Sequence, residues 1–147
     1  MKSLFWLAIG LLLLLPSNSL AESTSKKSMQ DIAYRMAKEY KVPYALVEYM
    51  VAGESSWRPK ALGDMNQTCK RTGKPIRARG ILQLTECYWG HITDVCAFDV
   101  ACALKVSLPL MAKKETCMRE WSTCRRYYRN LALKNGKEYA GVYKTVY

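Results

Sequence analysis

Glu54 stands where an apolar helical pattern ends, and an acid so placed can carry a proton into a reaction. In the stretch Val51-Ala52-Gly53-Glu54-Ser55-Ser56-Trp57-Arg58-Pro59 it follows Leu46, Val47, Met50 and Val51, which recur at helical spacing. Glu54 falls on the face of Val47, Met50 and Val51, the face expected to be buried. A carboxyl there is desolvated, lies beside the negative end of the helix dipole and has Trp57 near it, and each of these favours the proton-bearing form. That form is a general acid near neutral pH. The alternative is a solvated Glu54 in a frayed last turn, the commoner fate of a lone acid. Asp64 is the obvious second carboxylate, although a turn-forming Asp after Gly63 accounts for it more simply. His91, the one histidine, follows Cys87 by four residues. A Cys-His pair or a metal site is therefore conceivable on one helix face, but an exported thiol among five others is expected to be oxidised and a lone His builds no zinc centre.

Two short blocks carry more information than any single residue. Glu54-Ser55-x-Trp57-x-Pro59-x-Ala61-x-Gly63 is followed, after a basic loop, by Arg79-Gly80-Ile81-Leu82-Gln83-Leu84. Their order and separation resemble the signature blocks of the soluble lytic transglycosylase family, relatives of goose-type lysozymes, in which a Glu-Ser pair closes a helix and a Gly-Leu-Met-Gln-like block follows. The resemblance runs from about Ser28 to the Tyr127-Tyr128 region. It implies a mainly α, lysozyme-like helical domain with a long irregular loop after the catalytic helix. It also implies cleavage of the MurNAc-GlcNAc β-1,4 bond of peptidoglycan, with Glu54 as acid and then base, giving 1,6-anhydro-muramoyl products.

The resemblance assigns roles residue by residue. Ser55 would hydrogen-bond at the reacting centre, and Gln83 would orient the substrate N-acetyl group, since an amide both donates and accepts. Where the family carries a Tyr-Asn pair across the cleft from the acid, this chain has Trp121-Ser122; ring stacking would survive and the amide contact would become a hydroxyl. No metal and no cofactor is required. The implied partners are peptidoglycan strands and a cell-envelope secretion or conjugation apparatus. Two rivals stand beside this reading. One is a peptidoglycan-hydrolysing lysozyme on the same fold, with Asp64 or another acid positioning water. The other is a non-catalytic, cationic wall-binding or membrane-active protein.

The elements that must position these groups are legible in outline. Lys2, the apolar run Leu4 to Leu15 and the small residues Ser19-Leu20-Ala21 form a secretory signal peptide over residues 1–21, leaving one domain over residues 22–147 in the periplasm or outside the cell. The apolar run is too short for a comfortable membrane span, so no stable membrane insertion is expected after cleavage. With 23 Lys and Arg against 12 Asp and Glu the chain is strongly basic. Its partners should be anionic, and export makes nucleic acid the least suitable of them.

Six cysteines in the exported part read as three disulfides. Short loops favour Cys96 with Cys102 and Cys117 with Cys124, which leaves Cys69 with Cys87; each bridge would contribute about 2–3 kcal/mol. Glu22 to Lys27 reads as a flexible leader. A first scaffold helix then follows from Ser28, with Met29, Ile32, Ala33, Met36, Ala37 and Tyr40 on its core face. Pro43 opens the second helix, which ends near Glu54. Arg58 to Arg79 forms a long loop or irregular hairpin stapled at Cys69. Gly80 lets the backbone approach the substrate or the Glu54 helix, and a short helix reaches Trp89, where Tyr88 and Trp89 could stack on sugar rings or serve the core. Asp99 caps a helix reaching about Lys114, with Pro109 bending it or ending a first segment. Glu115 to Cys117 turns the chain into a last amphipathic helix, Met118 to about Lys134, followed by an aromatic tail with Tyr139, Tyr143 and Tyr147.

Overall fold

Between Pro16 and Pro43 the sequence contains neither glycine nor proline, and one long helix, α1 (Asn18–Glu39), occupies that interval. A computed structural model describes residues 18–135, with side-chain surroundings from residue 26 onward. Residues 1–17 of the expected signal peptide, and Tyr139, Tyr143 and Tyr147, lie outside the described residues. The expected flexible leader Glu22–Lys27 is helical, and Ser28 and Asp31 are interior positions rather than a cap. Extending a formed helix adds one hydrogen bond per residue fixed, so a polar run without a breaker continues what the apolar stripe has nucleated. That stripe is the expected one: Met29, Ala33 and Ala37 are buried, with Ile32, Met36 and Tyr40 packed at its margin.

The exit from α1 needs a left-handed residue, and Lys41 supplies it at φ 56. The Val42 amide donates to the Ala37 carbonyl at 2.9 Å and the Lys41 amide to Lys38 at 3.3 Å, which satisfies the last carbonyls in a Schellman arrangement. Pro43 then opens α2 (Tyr44–Ser55), whose Leu46, Val47, Met50 and Val51 are fully buried. Each such side chain contributes about 1.5–3 kcal/mol of hydrophobic stabilisation.

The loop after α2 is an irregular hairpin ending in three stubs: β1 (Leu62–Gly63), β2 (Ala78–Arg79) and β3 (Leu84–Thr85), antiparallel in the order β1-β2-β3. Four helices complete the described chain after the short α3 (Glu86–Trp89): α4 (Asp94–Phe98), α5 (Val100–Met111), α6 (Lys114–Glu120) and α7 (Ser122–Lys134). Asp99 caps α5 as expected, its Oδ1 accepting from the Cys102 amide at 2.7 Å. Pro109 lies inside α5, which stops two residues later, short of Lys114. The core is shared by α1, α2, α5 and the sheet, with Leu46, Met50, Ile81, Leu82, Leu84, Leu104, Leu108 and Met111 fully buried.

Two expectations are corrected at the end of the chain. Glu115 to Cys117 is not a turn but part of α6, and the break falls instead at Trp121, which is extended at φ −127 and ψ 127. Its indole N–H donates to the Leu82 carbonyl at 3.1 Å, a buried bond that a continuous helix would not place there. The disulfide Cys117–Cys124 spans this break, and Cys96–Cys102 and Cys69–Cys87 complete the expected pairing. Among the described residues no helix is long and apolar enough to cross a membrane, and three disulfides are compatible with a secreted protein.

The closest approach that Gly80 makes is to another backbone segment. At φ 74 it lies against the end of α4, where a β-carbon would stand 1.8 Å from the Ala97 carbonyl oxygen. Gly80→Ala should therefore lower stability by at least about 2 kcal/mol, combining left-handed strain with a backbone clash. A reduced midpoint in urea denaturation followed by circular dichroism checks this.

Candidate functional site

Glu54 occupies the last turn of α2 and is half-buried. What covers it comes from the far end of the chain. Gly53 has no side chain, and a β-carbon there would stand 2.7 Å from Thr123 Cγ2, so α2 and α7 touch most closely at this point. Further along the same contact, Tyr49 packs edge-on against Tyr127 at 5.5 Å between ring centroids, and Asn130 donates to the Tyr49 hydroxyl at 3.3 Å. Position increases along α2 as it decreases along α7, so the two helices run antiparallel. The N-terminus of α7 thus meets the C-terminus of α2, and the Thr123 hydroxyl in the first turn of α7 lies near enough to the Glu54 carboxyl to favour its charged form.

The proton on Glu54 is set by its burial and by three neighbours. Burial raises its pKa and is the largest influence; the Thr123 hydroxyl and the Arg126 guanidinium lower it, and the charge of Asp64 raises it. Burial prevails, so Glu54 stays protonated above the usual carboxylate range, as a general acid must. Arg126 also donates to Thr123 Oγ1 at 3.5 Å, which leaves the Thr123 hydroxyl proton for the carboxyl.

The chain leaves α2 under strain. Ser56 at φ 54 and Trp57 at φ 63 are both left-handed, and neither is glycine. Such a conformation costs about 1–2 kcal/mol per residue. It is held by Trp57, which is buried, and by Arg58, whose Nε donates to the Ser55 carbonyl at 2.9 Å. This reversal turns the chain back past the acid towards β1, where Asp64 sits.

The expected site residues divide into two groups. Gln83, also left-handed at φ 50, donates through Nε2 to the Gly80 carbonyl at 2.9 Å and the Ala61 carbonyl at 3.4 Å. Its Oε1 lies over Gly63, where a β-carbon would be 2.4 Å away. Gly63 thus carries Gln83 on one side and leads into Asp64, whose charge reaches Glu54, on the other. Ser122 is exposed and lines an open groove of about 520 Å³ with Arg125, Arg126 and Arg129.

Ser55 and Trp121 are turned inward instead. The Ser55 hydroxyl is buried and donates to the Val51 carbonyl at 3.3 Å, the back-bond of a helical serine, so its proton is not directed at a reacting centre. Trp121 is 5% exposed and tilted against Trp89 at 5.7 Å, so it offers no face for ring stacking. It acts as a strut, tying the start of α7 to the backbone of Leu82. Of the aromatics before His91, Trp89 belongs to the core and Tyr88 is exposed, with Arg71 5.9 Å over its ring. Asp64 takes the turn role, accepting from Gln67 Nε2 at 3.2 Å. Cys87 is bonded to Cys69, and no group of residues among those described could hold a metal ion.

Thr123, Arg126 and Arg79 are the residues that sequence reasoning missed. Arg79 is 2% exposed and bonds Asp94 at 2.7 Å and the carbonyls of Leu84, Trp89 and Ile92 at 3.0–3.2 Å. Arg77 joins the same cluster through Glu86 and Asp94. A guanidinium with every acceptor in place fixes β2, β3 and α4 as one unit beneath Gln83.

Opposite shifts of the Glu54 titration should follow from two substitutions. Thr123→Val removes a group that stabilises the carboxylate and should raise the Glu54 pKa; Asp64→Asn removes a repelling charge and should lower it. Carbon-13 NMR titration of the Glu54 carboxyl reads both. Compared with known proteins, the chain matches no family model, no curated protein and no solved structure, so its functional reading rests on the geometry of this site.

Proposed function

We propose that this protein is a peptidoglycan lytic transglycosylase, cutting the MurNAc-GlcNAc β-1,4 bond with Glu54 as its single acid-base group. The observation that carries the reading is a half-buried carboxyl at the end of α2, its pKa raised by burial, within the field of Arg126, which lines an open groove. A helix ending in that acid, an antiparallel three-stranded sheet following it and helices packed behind support a lysozyme-like arrangement.

In this mechanism Glu54 gives its proton to the glycosidic oxygen as the bond from that oxygen to the anomeric carbon breaks. The carbonyl oxygen of the substrate's own N-acetyl group bonds to the anomeric carbon in its place. Glu54, now a carboxylate stabilised by the Thr123 hydroxyl and the field of Arg126, takes the proton of the muramic acid 6-hydroxyl. That oxygen bonds to the anomeric carbon and displaces the N-acetyl oxygen. The product is a 1,6-anhydro sugar, water is not consumed, and Glu54 regains its proton. Gln83 Oε1 is the acceptor left over from its backbone bonds and suits an N-acetyl N–H. Thr123 thus favours the second half of the cycle and burial the first.

Hydrolysis on the same frame is the second reading, and the charge of Asp64 near Glu54 favours it. Against it, Asp64 is held in a left-handed turn and bonded to Gln67. Mass analysis of fragments released from purified cell walls separates the cases. The expected products lack one water relative to hydrolytic ones, and Glu54→Gln should cut their rate by at least about a hundredfold. Fragments carrying the extra water would establish the lysozyme reading, and undiminished wall clearing by Glu54→Gln would establish a non-enzymatic cationic effect.

A further inference from the structure

The groove beside Glu54 has a chemistry that the cleavage reaction does not use. It is lined by Ser122, Arg125, Arg126 and Arg129, four residues of α7 at helical spacing, so three guanidinium groups share one face over two turns. The N-terminus of α7 adds its own positive end to the same place. One wall is also part of the acid's surroundings, since Arg126 acts on Glu54 both through its charge and through Thr123. Arg126 is thus common to the groove and to the surroundings of Glu54. Guanidinium forks match carboxylates in pairs of parallel hydrogen bonds, which a neutral sugar hydroxyl cannot replace.

We propose that the α7 groove binds carboxylates carried by the muramic acid residues of the glycan strand, making the site selective for acidic over neutral N-acetylated glycans. This rests on the glycan-cleaving reading for its choice of polymer. The carboxylate has two sources, the lactyl group of muramic acid and the peptide attached to it, and both present the same chemistry to the arginines. Selectivity then comes from Arg125 and Arg129, which line the groove with Arg126, while Arg126 couples the bound anion to the acid. Salt weakens the preference, because exposed charges are screened.

The test measures binding to full-length protein carrying Glu54→Gln, with three probes of equal length: neutral chitin oligomers, peptide-free glycan strands and peptide-bearing strands. Acidic strands should bind about tenfold more tightly than chitin oligomers, the gain expected of two modest charge-assisted contacts. Adding Arg125→Gln with Arg129→Gln should collapse that ratio to about one. The same charge removed from the exposed face of α1, as Arg35→Gln with Lys38→Gln, should leave the ratio intact. A gain for peptide-free strands alone identifies the lactyl carboxylate, which the peptide-bearing strand holds as an amide; a gain for peptide-bearing strands alone identifies the carboxylates of the peptide; a gain for both shows that the arginines take either. Equal binding of acidic and neutral probes, or equal losses from the two double variants, overturns the proposal. Wall cleavage by the wild-type protein is scored separately. Arginine-dependent binding without cleavage sinks the lyase reading and leaves the groove standing, and cleavage without arginine dependence does the reverse.

Discussion

The contact between Gly53 and Thr123 is the constraint on which the rest of this structure depends. A glycine next to the acid lets α7 come close enough for a threonine hydroxyl to reach Glu54. A side chain at position 53 would press first on Thr123, whose methyl carbon would stand 2.7 Å from an added β-carbon, and would disturb the residue that acts on Glu54. The devices at the end of the chain serve this contact. The break at Trp121 starts α7 afresh at the right height, the indole ties that start to Leu82, and the Cys117–Cys124 bridge locks the corner.

The second constraint works from below. Arg79 fills its donors with one carboxylate and three carbonyls, and through them it joins the short strands to the loops around α3 and α4. Strands of two residues contribute few ladder bonds and do not hold register alone. The guanidinium and the Cys69–Cys87 bridge supply what the ladder lacks, and on that platform Gln83 keeps its left-handed backbone and Gly80 its contact with Ala97. Groove side and platform side are thus each fastened by side chains rather than by extended secondary structure.

Much of this was legible in the sequence because the informative signals were local. The apolar spacing of α2 placed Glu54 at its end, the Asp99 cap announced α5, and loop length alone paired the cysteines. The failures have a common physical cause. Trp121 sits in a run whose spacing is helical on both sides, and its departure from the helix is fixed by a bond to Leu82, distant in the chain. Thr123 and Arg126 reach Glu54 only through tertiary packing, so no pattern near the acid points to them. Gly53 was the available clue, since a glycine inside a helical pattern marks a close approach. Arg79 read as one more loop cation because charge is visible in a sequence and the carbonyls that satisfy it are not. Ser55 was misread for a similar reason: a helical serine has a carbonyl one turn back always within reach.

The order of the bridges has its own consequence. First cysteine joins second, third joins fourth, and fifth joins sixth, each closing a segment of 18 residues or fewer. A chain emerging amino end first therefore presents every thiol's correct mate before the next pair arrives. Pairing each cysteine with the next to appear gives the native set, so oxidation in order of appearance leaves no bridge to reshuffle.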